Sequence, residues 1–314
     1  MGRIEYLFVI LDESAHSFCY YQHPTTKSEL IDLQRLKDVV FYAQKENLTV
    51  NFLLGDKKLP KEYLDVMDTI YHVVISSNNT ETDNHESILV IDYKDNTHVL
   101  ELNETENLIV RIKKKHLSKL ASIVNKIHII RRLSVVLLDI ESYADADFKE
   151  YKKQLENIRE TYLTNLNMQS GIELNILSDR LVLTNMNNCE AGVKHITFAP
   201  NGKFYICPGF YFDDENDSIG DLASGINIKN QQLYKLEYAP ICRTCDAFQC
   251  KRCVYLNRKI TLEVNTPSHE QCVVSHLERN CTKDLLDKAR NAIPELAEKE
   301  ITEIDYLDPF DKIS

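Results

Sequence analysis

Cys242-Arg243-Thr244-Cys245-Asp246-Ala247-Phe248-Gln249-Cys250-Lys251-Arg252-Cys253 places four thiols in twelve residues, in the pattern Cys-x2-Cys-x4-Cys-x2-Cys. Thiolates are soft ligands suited to zinc or to iron–sulfur clusters, and four must converge on each centre. Outward from this core, Cys189 and Cys207 lie upstream and Cys272 and Cys281 downstream, while Cys19 stands alone in the first 188 residues. Seven or eight thiols exceed what one centre uses, so two centres are implied. A zinc ribbon separates its paired cysteines by roughly 15–20 residues so that both pairs can face one ion. Here four residues separate them. That spacing favours iron–sulfur ligation, with zinc the alternative.

The rest of the composition sets limits. Lys+Arg number 37 against Asp+Glu 48, for a formal net charge of −11, which repels a phosphate backbone and disfavours nucleic acid as a partner. The basic stretch Arg111–His116 is short and reads as the solvated start of a helix. Eight glycines in 314 residues argue against glycine-rich phosphate loops. The apolar run Leu7–Leu11 is closed by Asp12 and Glu13, too short for a secretory core, and no stretch approaches the roughly 20 apolar residues of a membrane span. A cytoplasmic protein without membrane attachment is expected. Its thiols would be kept reduced there, so nine cysteines point to metal chemistry more than to disulfides.

Toward the N-terminus the pattern alternates. Strand-like runs fall at Tyr6–Leu11, Val50–Leu54, Tyr71–Ile75, Ile88–Tyr93, Leu108–Ile112 and Val135–Ile140, with Ile172, Leu174 and Ile176 alternating like another strand. Helical spacing appears at Leu33, Leu36, Val39, Val40 and Ala43, after Pro60, at Leu117–Ile127 and at Phe148–Tyr162. Alternation of this kind predicts an α/β fold with a mainly parallel sheet. Periodicity does not separate an open sheet from a partial barrel. Ser76–Glu86 reads as a mobile loop. A helix is expected after Cys281 to about Pro294, then an acidic tail from Asp305. The change in cysteine density marks a boundary near residue 186.

The words around the cysteines carry a resemblance. Cys189-Glu190-Ala191-Gly192, Pro200-Asn201-Gly202-Lys203-Phe204-Tyr205-Ile206-Cys207-Pro208, Ser218-Ile219-Gly220-Asp221-Leu222 and Pro267-Ser268-His269-Glu270-Gln271-Cys272, with the central four, resemble the SPASM domain of radical S-adenosylmethionine (radical SAM) peptide-modifying enzymes. The resemblance implies a partial (β/α)6 TIM-like barrel over 1–185, a SPASM auxiliary-cluster domain over 186–282, and a C-terminal helix with the tail over 283–314. It further implies two [4Fe–4S] clusters. Cys242, Cys245, Cys250 and Cys272 would hold the outer one; Cys189, Cys207 and Cys253 would hold the inner one. Cys281 is either the missing inner ligand or a bystander, the inner iron in the latter case being open to a substrate thiolate.

A radical SAM enzyme also needs Cys-x3-Cys-x2-Cys after its first strand. The matching segment, Ser14-Ala15-His16-Ser17-Phe18-Cys19-Tyr20-Tyr21-Gln22-His23, has one cysteine, and Leu53-Leu54-Gly55-Asp56 lacks the expected glycine pair. The usual S-adenosylmethionine-cleaving cluster has no ligand set there, so S-adenosylmethionine is not assigned as a cofactor. The whole chain is similar to CXXX repeat peptide maturases, which depart from the radical SAM pattern in the same region. That resemblance implies binding of a cysteine-rich precursor peptide, with a radical SAM enzyme as partner. Whether the chain is itself an enzyme stays open, as does the alternative of a zinc-stabilised peptide-binding scaffold. Cys19 with His16 and His23 reads as structural. His195, His269 and His276 read as surface residues or neighbours of ligands. Arg243, Lys251 and Arg252, next to the thiols, could offset cluster charge, but their plain reading is solvated. Asp213–Asp217 reads as a solvated acidic loop.

Overall fold

The apolar runs marked as strands fold as strands, with their ends shifted by up to three residues. The computed structural model describes residues 3–22, 29–55, 57–77, 86–94, 107–127, 130–167, 172–290 and 299–301. In chain order the elements are β1 (Tyr6–Ile10), α1 (Leu33–Glu46), β2 (Thr49–Leu53), α2 (Lys61–Met67), β3 (His72–Ser76), β4 (Glu86–Asp92), β5 (Asn107–Ile112), α3 (Leu120–Val124) and β6 (Arg132–Leu137). There follow α4 (Asp145–Asn167), β7 (Glu173–Leu174), α5 (Asp179–Val182), β8 (His195–Phe198), β9 (Lys203–Tyr205), α6 (Pro208–Asp213), β10 (Gly220–Asp221), β11 (Gly225–Ile226), α7 (Val254–Thr261) and α8 (His269–Ala289). They form an α/β structure in two compact units drawn from separated stretches. Met1–Val90, Glu190–Ala239 and Val254–Leu256 make one; Ile91–Cys189, Pro240–Cys253 and Asn257–Ser314 make the other.

In the first unit β1 is central, with β2 and β8 parallel on either side, Tyr6 facing Thr49 and His195. Strands buried on both faces carry apolar residues without alternation, and Leu7, Val9 and Ile10 are all buried. A parallel pair needs a crossover, and α1 supplies the one between β1 and β2. Its Leu36, Val39, Val40 and Ala43 form the buried stripe, Asp32 caps its start by accepting from the Gln34 and Arg35 amides, and left-handed Asn47 (φ 55°) ends it. Beyond β8 the strands β9, β10 and β11 run antiparallel.

The second unit has β5, β6 and β7 in parallel register, Leu108 facing Leu133 and Leu133 facing Leu174. The alternation Ile172–Ile176 yields only the two residues of β7. Arg111 and His116 are not solvated, contrary to the expectation for the basic stretch. Arg111 is a strand residue, 3% exposed, paired with Asp92 at 3.1 Å, and His116, 4% exposed, meets Tyr93 edge-on at 5.2 Å. Lys113 and Lys115 are exposed beside them.

The last helix starts earlier than expected. α8 begins at His269, so Cys272 lies in its first turn and Cys281 in its middle. Ser268 explains the start: its Oγ accepts from the Gln271 amide at 3.2 Å. Val273, Leu277, Cys281 and Leu285 recur at i, i+4 and are buried. Helix α4 packs on α8, with Tyr151 Oη donating to Glu278 Oε1 at 2.7 Å. Most of Ser76–Glu86, and the acidic tail, lie outside the described residues. No helix among the described residues is long and apolar enough to cross a membrane.

Candidate metal centre

The Cys242–Cys253 loop belongs wholly to the second unit. A short 3-10 turn over Cys242–Thr244 lets the Cys245 amide donate to the Cys242 carbonyl at 3.2 Å. The Cys250 amide donates to Ala247 O at 2.9 Å, a second tight turn that presents Cys250. The chain before Cys189 runs alongside: Asn187 N donates to Phe248 O and Cys189 N to Lys251 O, both at 2.7 Å. Backbone pairing therefore brings Cys189 to the loop across a long gap in sequence.

Arg252 organises this cluster. It adopts a left-handed backbone (φ 40°), its side chain is 0% exposed, and its Nε donates to Asn188 Oδ1 at 2.8 Å. Its backbone amide approaches Cys250 Sγ at 3.4 Å. Burial pulls the guanidinium pKa down, while Cys242, Cys189, Cys250 and Cys253 act on it in the opposite sense. A guanidinium withdrawn from water needs compensating negative charge, and five cysteines stand on this loop or beside it. Arg252 thus departs from the solvated reading, whereas Arg243 and Lys251 are exposed as expected.

Two of these thiols, Cys242 and Cys250, are poor acids in the metal-free protein. Burial, followed by neighbouring Cys250, pushes Cys242 up to about 12. Burial also raises Cys250, against the lowering effect of hydrogen bonds from the Ser275 side chain and the Arg252 amide. Bringing one such thiol to thiolate at pH 7 costs about 7 kcal/mol, which the binding of a metal would have to offset. The residues fit a cationic metal centre and do not fit free reactive cysteine.

Helix α8 faces the loop. Cys272 and His276 are one turn apart on one face, and Cys245 Sγ lies 3.5 Å from His276 Nε2. Cys245, Asp246 and His276 bring a sulfur, a carboxylate oxygen and a ring nitrogen within 4.8 Å of one another. Asp246 is 1% exposed and ion-paired with Arg279, itself 3% exposed, at 2.6 Å. Gln249 Nε2 donates to Ser275 O at 2.6 Å and to Glu278 Oε2 at 3.3 Å, and burial raises the Glu278 carboxyl to about 7. Asp246, Glu278 and Arg279 were not singled out by sequence; only the helix packing buries them.

The remaining candidates have surroundings of their own. Cys207 is in the first unit, buried at the start of α6, where Gly209 lies against Tyr255 with no room for a Cβ. Cys281 Sγ donates to Leu155 O at 3.5 Å, and burial pushes it up to about 12. His269 meets Phe148 edge-on at 6.3 Å, and His195 meets Phe8 at 5.1 Å. His23 is outside the described residues. The segment after β1, with Cys19, is packed by aromatic rings: Phe18 stacks on Phe8 at 5.2 Å and Tyr21 on Phe212 at 5.7 Å. Tyr211 Oη donates to Glu13 Oε1 at 2.8 Å, and a Cβ at Gly55 would collide with Ser14.

No protein-family model matches the sequence, and no curated protein matches it. Among solved structures the chain is similar to hexahistidine-tagged anSMEcpe with bound AdoMet, at TM-score 0.63 and 13% identity, over 93% of this chain and 97% of that one. Native anSMEcpe with bound AdoMet and Cp18Cys peptide gives 0.61 and 13%, over 92% and 99%. The same protein with bound AdoMet and Kp18Cys peptide gives 0.61 and 14%, over 91% and 99%. At this identity the likeness is one of fold.

Proposed function

We propose that this chain is a SPASM-type iron–sulfur protein that binds a cysteine-rich (CXXX repeat) precursor peptide and acts with a separate radical SAM enzyme in maturing it. The observation that carries the reading is the gathering of Cys189, Cys242, Cys250 and Cys253 around fully buried Arg252. The fold likeness to anSMEcpe, whose structures hold AdoMet and peptide, supports a radical-SAM-like architecture and a peptide substrate. The resemblance assigns the outer [4Fe–4S] cluster to Cys242, Cys245, Cys250 and Cys272, and the second to Cys189, Cys207 and Cys253. When bound, such clusters supply electron transfer and, at an iron with an open position, a site for a thiolate. The chain's own residues do the rest. Arg252 offsets the negative charge of the thiolate set, and the tight turns at Cys245 and Cys250 orient the sulfurs. Cys19 alone cannot replace a three-cysteine set, so radical generation is assigned to the partner, in the cytoplasm.

The test is iron, sulfide and zinc content with an ultraviolet–visible spectrum on anaerobically purified protein. About eight irons and eight sulfides per chain are expected. Zinc without sulfide would replace this reading with a thiolate-stapled peptide scaffold. Peptide modification by the chain without a radical SAM partner would overturn the division of labour.

A further inference from the structure

We infer that His276 is a positioning residue for the outer cluster, donating a hydrogen bond from Nε2 to the Cys245 sulfur and raising the reduction potential of the cluster. The inference rests on the iron–sulfur reading above and deepens it. The contact is 3.5 Å, a hydrogen-bond distance for sulfur, and His276 is 5% exposed. Its direction follows from chemistry. A ligating Cys245 is a thiolate with no proton to give, so the imidazole must be the donor. Nor is His276 an additional ligand in this reading. A four-iron cluster takes one protein ligand per iron, and Cys242, Cys245, Cys250 and Cys272 already make four.

The arrangement is not confined to one pair. Ser275 and His276 are consecutive on α8, and Ser275 hydrogen-bonds Cys250 while His276 reaches Cys245. One turn earlier the same helix carries Cys272. The start of α8 therefore brings one ligand and two donors to one centre, fixed by the Ser268 cap and by the buried Asp246–Arg279 pair. One-electron reduction adds negative charge to the thiolate-bound cluster. A hydrogen bond to a ligand sulfur then stabilises the reduced form more than the oxidised one, most strongly where water is excluded.

The experiment is a mediated dithionite titration of the loaded full-length protein, followed by electron paramagnetic resonance. His276→Phe keeps a ring and removes the donor; His276→Gln keeps a donor of similar reach. The midpoint potential is expected to fall in H276F and to return most of the way in H276Q, with iron and sulfide content unchanged in both. An unchanged potential in fully loaded H276F overturns the inference. Should H276F fail to hold its clusters, wild-type protein labelled with 15N-histidine decides. Weak nitrogen coupling with an exchangeable proton supports the hydrogen bond. Coupling of the strength of a coordinated imidazole, or none, overturns it. Zinc without sulfide in the wild type overturns both this inference and the iron–sulfur reading, whereas every other negative result leaves that reading standing.

Discussion

The segment 11–22 after β1 and the loop Cys242–Cys253 are both irregular, yet they are stabilised in opposite ways. The first is held by stacked rings, Phe18 on Phe8 and Tyr21 on Phe212, and carries a single cysteine. The second buries an arginine among thiols and an Asp–Arg pair. A loop closed by aromatic contacts needs no ligand to be ordered. One that buries cations beside thiols of high pKa gains its stability when those thiols become thiolates on a metal. On the proposed reading, the metal chemistry of this chain belongs to its cysteine-rich loop and not to the segment after β1.

The largest effect should come from the second loop. Cys242→Ala or Cys250→Ala is expected to remove about half of the bound iron, measured as iron per chain. Iron unchanged in both would take these residues out of the ligand set. Next, Arg279→Met strands Asp246 as a buried unpaired carboxylate and should cost about 3–5 kcal/mol in a denaturant titration.

A somewhat smaller effect concerns pH. Burial raises the Glu278 carboxyl in the folded protein to about 7, from an ordinary value of 4.5. It faces Tyr151, Gln249 and Asp179, with Cys250 and Cys281 nearby. The native state therefore holds a proton that the unfolded chain releases. The stabilisation is complete below about pH 4.5 and is lost as pH rises toward 7, amounting to about 3 kcal/mol. Metal-free Glu278→Gln should show a flatter stability profile across that window, and an unchanged slope would assign the dependence to another group.

The smallest expected effect is the most direct challenge to the comparison. Ala15→Cys with Gln22→Cys, together with Cys19, would write Cys-x3-Cys-x2-Cys into the first loop. Because that loop is held by ring stacking and by the close approach of Gly55 to Ser14, the double variant should bind no more iron than the wild type. A gain of about four irons would show that only the missing cysteines, and not the packing, keep a cluster away.

Much of the fold was legible because period and composition are local. The runs at Tyr6–Leu11 and Leu108–Ile112 became β1 and β5, and Leu36, Val39, Val40 and Ala43 became the buried face of α1. The start of α8 was misplaced because the segment around Cys272 was weighed for its ligand and not for helical spacing. The signal for the helix was present in Ser268 and in the spacing of Val273, Leu277, Cys281 and Leu285. At the candidate site, the thiols were legible and their surroundings were not. Nothing local distinguishes Arg252 from exposed Arg243, since each stands next to a cysteine in the chain. The difference is made by Asn188, which accepts from the Arg252 guanidinium, and by the turn at φ 40°.

By itself the sequence determined an acidic α/β chain with its thiols concentrated in one region, because hydrophobic period, charge and ligand spacing are properties of neighbours along the chain. The tertiary structure alone decided that Cys189 lies against Lys251, that Arg252 is buried, and that His276 reaches Cys245. It also decided that each compact unit is assembled from separated stretches. These are matters of which distant segments exclude water from one another. A buried charge, a raised pKa or a hydrogen bond to sulfur exists only once that exclusion has taken place.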